Sequence, residues 1–261
     1  MVKQGRMGWK QVEKEGRMLK VRELHKSFAN VYALDDVRVC LAQDWSPKSS
    51  KEHAFISNYA KSVFGDSISV WNVALFETES FVAIPSIGSL VPGWLLIVPK
   101  DPALCIGALS QEKKQELDVF AKYVAKCLEF YFGPVVMFEH GPIVERSCIG
   151  CSVDYAHLHL VPVPWDLYAY VINGFPSIQW HHVNGLEATT QYYASKTPYL
   201  YLFQPHISPV HFIGTGEIPS QLFRRVIAYQ LGEPSAYDWK IFPHFETIRQ
   251  TIEILQKNSV A

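Results

Sequence analysis

Along residues 110–164 of this chain the apolar positions switch between two periods. From Ser110, Leu117, Phe120, Ala121, Val124, Leu128 and Tyr131 recur at spacings of three and four until Gly133-Pro134, which predicts one amphipathic helix ended by that pair. Val135–Gly141 follows as a short apolar run and predicts a buried strand. Tyr155–Pro164 predicts a second strand, with Tyr155, His157 and His159 on one face and Ala156, Leu158 and Leu160 on the other. Further on, Tyr199–Gln204 alternates aromatic with aliphatic residues and reads as a strand, and Pro209–Ile213 is placed to pair with it as a hairpin. Ile218–Gly232 has Pro near its start, apolar residues at 222, 223, 226, 227 and 231, and Gly at its end, so it reads as a helix. Phe245–Leu255 reads as a last amphipathic helix. Before residue 70, charged runs such as 10–17 precede a helical pattern near Glu52–Phe64, which predicts a poorly ordered start and then an extension packed on the rest.

The Tyr155–Pro164 strand therefore points two imidazoles, His157 and His159, off the face opposite its aliphatic residues. Such a pair can bond carbonyls at a core edge, hold a structural metal, or do chemistry, because neutral imidazole serves all three. The preceding segment Ser147–Asp154 is a turn containing Gly150 and Ser152, able to set backbone N–H groups and a hydroxyl beside the imidazoles, as an anion site requires. Together these features point to phosphate.

Composition narrows the class. The chain has 261 residues, 48% of them hydrophobic, enough to bury a core without staples. Its 24 basic and 25 acidic residues leave almost no net charge, which argues against a bulk nucleic-acid binder and requires only local donors at a nucleotide pocket. No window approaches the ~20 apolar residues of a membrane span, and the N-terminus lacks an apolar signal core, so a soluble, cytoplasmic protein is expected. The five cysteines are odd in number and scattered, as reduced thiols would be. Cys148 and Cys151 have zinc-ligand spacing, but no second pair accompanies them, and loop packing is the expected role; no metal or other cofactor is assigned.

The stretch Gly150-Cys151-Ser152-Val153-Asp154-Tyr155-Ala156-His157-Leu158-His159-Leu160-Val161 closely resembles the histidine-triad motif, a His-φ-His-φ-His-φ-φ strand preceded by a Gly/Ser loop. A second match is Pro92–Lys100, which resembles the family's Pro-Gly-His strand with Trp94 in place of the His. Glu77–Ser86 resembles the family's first strand, which lines the nucleoside pocket, and the order strand, strand, helix, strand, loop, triad strand is the family's. The resemblance spans about residues 70–166. It implies a 70–166 catalytic core between an N-terminal extension (1–69) and a strand-and-helix appendage (167–261) that faintly resembles the segments covering the nucleotide site in larger relatives. The implied fold is α+β: an antiparallel sheet of about five strands with a helix across one face, plus a C-terminal hairpin and helix.

By the same resemblance, His157 attacks the α-phosphorus of a nucleotide, His159 helps hold the phosphate, and Ser152, with the Gly150 turn, contacts its oxygens. The chemistry is consistent: neutral imidazole is nucleophilic near pH 7, and nearby donors stabilise the developing charge. Two positions depart from the pattern, Tyr155 at the first triad position and Trp94 at the outlying His. The Tyr155 phenol is read as positioning His157, and Glu139-His140 as an acid–imidazole pair able to donate to a leaving oxygen, or else His140 as a simple strand cap. Arg224 and Arg225 adjoin on the 218–232 helix, so at most one faces inward; a phosphate clamp is the sharper idea and a solvated Arg the commoner case. The expected activity is hydrolysis of a nucleotide conjugate, since Val161-Pro162 stands where the transferase branch carries its Gln. Nucleotidyl transfer, phosphorolysis, and nucleotide binding without turnover are the alternatives, and both monomer and homodimer fit.

Overall fold

The computed structural model describes residues 73–147, 149 and 154–257, together with a two-residue strand at 40–41. The 52–64 helical pattern and Cys148, Gly150, Cys151 and Ser152 lie outside the described residues. The order of elements is β1 (Cys40–Leu41), β2 (Phe76–Glu77), β3 (Phe81–Pro85), β4 (Leu95–Pro99), α1 (Gln111–Phe132), β5 (Val135–Gly141) and β6 (Leu158–Pro162). Then follow α2 (Leu167–Gly174), β7 (Gln179–Val183), α3 (Thr189–Ala194), β8 (Tyr199–Phe203), β9 (His211–Thr215), α4 (Leu222–Gln230) and α5 (Phe245–Lys257).

The strands form one sheet, ordered β1-β2-β3-β4-β6-β5-β8-β9-β7, antiparallel at every pairing. The fold class is α+β as expected, with nine strands among the described residues rather than about five. The sheet lengthens because β8 pairs along the outer edge of β5, from Met137 opposite Phe203 to Gly141 opposite Tyr199. β5 is buried along its whole length, so its outer N–H and C=O groups need partners, and the C-terminal hairpin supplies them.

Helix α1 starts where Ser110 Oγ accepts the Lys113 N–H and stops at Gly133, whose φ of +95° is open to glycine. Its buried stripe, Leu117, Phe120, Ala121, Val124 and Leu128, packs on Leu95, Ile97, Met137, Leu158 and Leu160, the aliphatic side of β4, β5 and β6. The aromatic face of β8, Tyr199, Tyr201 and Phe203, joins this layer, while Leu200 and Leu202 turn to the other. That second layer is covered by the C-terminal segment. Leu167 and Val171 of α2 and Leu222, Phe223, Val226 and Ile227 of α4 pack with Trp94, Val136, Phe138 and Val161, and Ile248 of α5 packs on Val82, Ile84, Leu96 and Val98.

Two predicted strands are shorter than their apolar runs. Thr78 breaks 77–86 into β2 and β3, because its hydroxyl accepts the Phe81 N–H and closes a tight turn. The β6 ladder begins only at Leu158, because the Ala156 N–H donates to the Ala103 carbonyl (2.7 Å) and draws 155–157 away from β4.

Candidate functional site

His157, at the entrance to β6, His159 within it, and His140 near the end of β5 come together on the sheet face beneath α4. The His157 and His159 ring centroids are 5.0 Å apart and those of His140 and His159 6.4 Å. All three are buried. Phe138 stacks on His159 at 4.5 Å, and Phe223 of α4 closes over Phe138 (4.5 Å) and His140 (5.2 Å). The face opposite the aliphatic residues is therefore as buried as they are.

Each imidazole has distinct partners. His157 Nδ1 lies 2.7 Å from the Tyr155 carbonyl; a carbonyl only accepts, so Nδ1 carries the proton and Nε2 the lone pair. His159 Nδ1 accepts the Trp94 indole N–H at 3.0 Å. Neither nitrogen of His140 has a hydrogen-bond partner. Burial lowers the pKa of all three. His157 Nδ1–H donation to Tyr155 opposes the shift in part; His159 is held well down by burial and then by His157, His140 and Arg224. His140 is pushed down to about 3 by burial, then by His157 and Arg224. The cluster is neutral at pH 7.

Tyr155 sits on the same side of the sheet, and its phenol donates to the carbonyls of Pro99 (2.9 Å) and Lys100 (3.3 Å). Burial and the nearby Asp101 raise its pKa. It meets His157 through its backbone carbonyl. Trp94 is fully buried.

The acid–imidazole pairing of Glu139 with His140 is not formed. Adjacent residues of a strand face opposite ways, and Glu139 lies on the α1 side, where its carboxylate accepts the Ile106 N–H (2.6 Å) and the Tyr199 hydroxyl (2.7 Å). Burial pushes its pKa up to about 7 against those two donors and Lys114. His140 is left as a lone imidazole in the cluster rather than half of a pair.

Arg224 departs from the commoner case of a solvated Arg. It is buried, its Nε–H donates to the Tyr237 carbonyl (2.9 Å), Nη2 donates to the Gly88 carbonyl, and its guanidinium lies 4.6 Å over the Trp94 ring. Arg225 donates to the Ser220 carbonyl (2.8 Å) and lies 3.9 Å over the Tyr237 ring. Phe223 is the site neighbour that sequence reasoning did not place, and of the two arginines it left open, Arg224 is the one that faces the cluster. The only signal was that apolar residues at 222, 223, 226 and 227 turn that side of the helix inward.

Among the described residues no three His, Cys, Asp or Glu side chains are grouped to hold a metal, and no helix is long and apolar enough to cross a membrane. What the cluster offers is three neutral imidazoles and a buried guanidinium.

The fold and cluster define an α+β protein with buried histidines on one face of a continuous antiparallel sheet. No family model and no curated protein matches the chain. Among solved structures it is similar to a crystal structure described as a "Hit-like protein involved in cell-cycle regulation from Bartonella henselae with unknown ligand", at 17% identity and a TM-score of 0.30, over 48% of this chain and 85% of that one.

Proposed function

We propose that this chain is a nucleotide hydrolase of the histidine-triad type, acting at the α-phosphorus of a nucleotide conjugate. The observation that carries this reading is the His157 ring, whose Nδ1–H is tied to the Tyr155 carbonyl at 2.7 Å while burial keeps the ring neutral, so that Nε2 presents a lone pair. In the first step that lone pair forms an N–P bond as the bond from phosphorus to the leaving group breaks, and the leaving group departs with the electron pair. In the second, water attacks phosphorus, the N–P bond breaks and Nε2 regains its lone pair, the water's proton passes to solvent, and the nucleoside monophosphate leaves. We assign His159 and His140 as N–H donors to the non-bridging oxygens, and the resemblance of residues 150–161 to the histidine-triad motif assigns Ser152 and Gly150 to the phosphate as well. The chemistry needs no cofactor or metal, and a cytoplasmic protein acting on small nucleotides is the setting it fits.

Enclosure of the cluster beneath Phe223 and α4 favours a second reading, a nucleotide-binding protein without turnover. One experiment separates them. The protein is incubated with dinucleoside polyphosphates and nucleoside phosphoramidates labelled at the α-phosphorus, quenched, and mapped by peptide mass. A nucleotidyl group on His157, absent from His157→Ala, supports the hydrolase. Binding without an adduct or product supports the second reading, and neither binding nor product across the panel refutes both.

A further inference from the structure

His157 and His159 are held in opposite tautomers, and the group that sets the second comes from another strand. Trp94 is two residues before Leu96, the cross-strand partner of His159, so indole and imidazole share a face. The indole N–H is a donor only, and it points at His159 Nδ1 from 3.0 Å. With Nδ1 accepting, the single proton of a neutral His159 sits on Nε2. His157 is the converse, protonated on Nδ1 by its bond to the Tyr155 carbonyl. The backbone of Trp94 is tied by the Ser86 N–H donating to its carbonyl (3.1 Å), and the indole is held between Phe138, edge-on at 6.1 Å, and Arg224, 4.6 Å over it. Arg224 is itself tied to the Gly88 and Tyr237 carbonyls, so α4 and the 237–239 segment brace the ring.

We propose that Trp94, braced by Arg224, is a positioning residue that locks His159 in its Nε2–H tautomer, making it an N–H donor beside the nucleophilic His157. The lock stands on geometry; its use in chemistry rests on the hydrolase reading. Without the indole N–H, a neutral His159 gains nothing from keeping Nδ1 bare, and it samples both tautomers. It then faces the phosphate with a lone pair part of the time, which repels the developing negative charge. A role follows for the appendage: Arg224 lies in α4, so residues 222–239 help set the state of a side chain on the central sheet.

The test is tautomer assignment by long-range ¹H–¹⁵N correlation on ¹⁵N-histidine-labelled full-length protein, with His159 assigned through His159→Gln. The expected spectrum shows one Nε2–H tautomer for His159 in the unmodified protein, and exchange-averaged nitrogen shifts in Trp94→Phe. Arg224→Gln should show a smaller shift in the same direction. Should Trp94→Phe lose its cooperative unfolding transition, site-specific replacement of Trp94 by 3-benzothienylalanine keeps the ring shape and removes only the N–H. On a nucleotide conjugate the variant lacking the N–H is expected to lose a few-fold in kcat, in proportion to the fraction of His159 that leaves the Nε2–H tautomer, with KM little changed. An unchanged Nε2–H tautomer after removal of the indole N–H overturns the lock. The tautomer readout needs no turnover, so an unmodified protein inert on every conjugate refutes the hydrolase reading while the spectrum still decides the lock.

Discussion

Replacing His140 by Phe should change stability by an amount that depends on pH, and the size follows from its surroundings. The His140 ring is buried with no hydrogen-bond partner at either nitrogen, and its pKa falls to about 3 from the ordinary 6.5. A depressed histidine pKa contributes stability that is present above 6.5 and is lost as pH falls toward 3, because the unfolded chain takes up a proton that the folded one refuses. Between pH 7.5 and pH 5.0 the unfolded side gains about 1.5 pH units of protonation below 6.5, which is about 2 kcal/mol at roughly 1.4 kcal/mol per unit. Phe at this site does not titrate. It also removes two unsatisfied buried nitrogens, a gain of about 1–3 kcal/mol each before the larger ring is fitted against Phe138 and Phe223. That packing effect is the same at both pH values, so it drops out of the difference. Urea unfolding followed by tryptophan fluorescence at pH 7.5 and 5.0 should show His140→Phe gaining about 2 kcal/mol on the parent as the pH is lowered. Equal differences at the two pH values, within ~0.5 kcal/mol, would refute the picture of a neutral, unpartnered imidazole.

Glu139 should bend the stability curve the other way. Its carboxyl is raised to about 7 from 4.5, so its contribution is full below 4.5 and is lost as pH rises through 7; Glu139→Gln should cancel about 2.5 kcal/mol of the decline between pH 5 and 8, and an unaltered decline in urea titrations would place the titration elsewhere. Tyr155→Phe loses the bonds to the Pro99 and Lys100 carbonyls but keeps the backbone carbonyl that anchors His157. About 1 kcal/mol of stability should go, while turnover stays within ~10-fold and the basic limb of the pH–rate profile is unmoved; a hundredfold loss of rate would give the phenol a role in proton transfer.

The parts of the fold legible in the sequence are those where a local signal and a buried face agree. The α1 stripe ends at Gly133, β5 opens on four apolar residues, and Tyr199–Phe203 splits its aromatic and aliphatic residues between the two layers, so each was readable from its own residues. β7 was not, because Gln179–Val183 is a largely exposed edge strand with little apolar content to alternate. Nor was α3, at six residues too short to show a period. At the site, alternation puts His157 and His159 together, and the same rule separates Glu139 from His140, so reading those two neighbours as a pair ran against the period of a strand. What no local pattern carries is the long-range pairing. The β5–β8 ladder and the seating of α4 on the histidine face decide that Arg224 meets Trp94 and Gly88, residues some 130 positions away.

The covering of the histidine face has two consequences that pull in opposite directions. Burial keeps three imidazoles neutral, which the lone pair on His157 Nε2 requires near pH 7, and it makes the same imidazoles a source of acid sensitivity in the fold. In the hydrolase reading the covering also excludes the water that completes turnover, so α4 or its neighbours must yield for a nucleotide to enter and for water to follow. Arg224 sits where that motion would be felt. It joins α4 to the Gly88 turn and the Trp94 ring, so displacing the helix also removes a cation from beside His140 and His159 and eases their protonation. An anionic phosphate entering as the guanidinium withdraws favours the N–H donors that hold it, whereas opening without a ligand exposes the imidazoles to protons. Opening should therefore be tolerated best when a phosphate arrives with it, which ties access to the site to the charge of what enters.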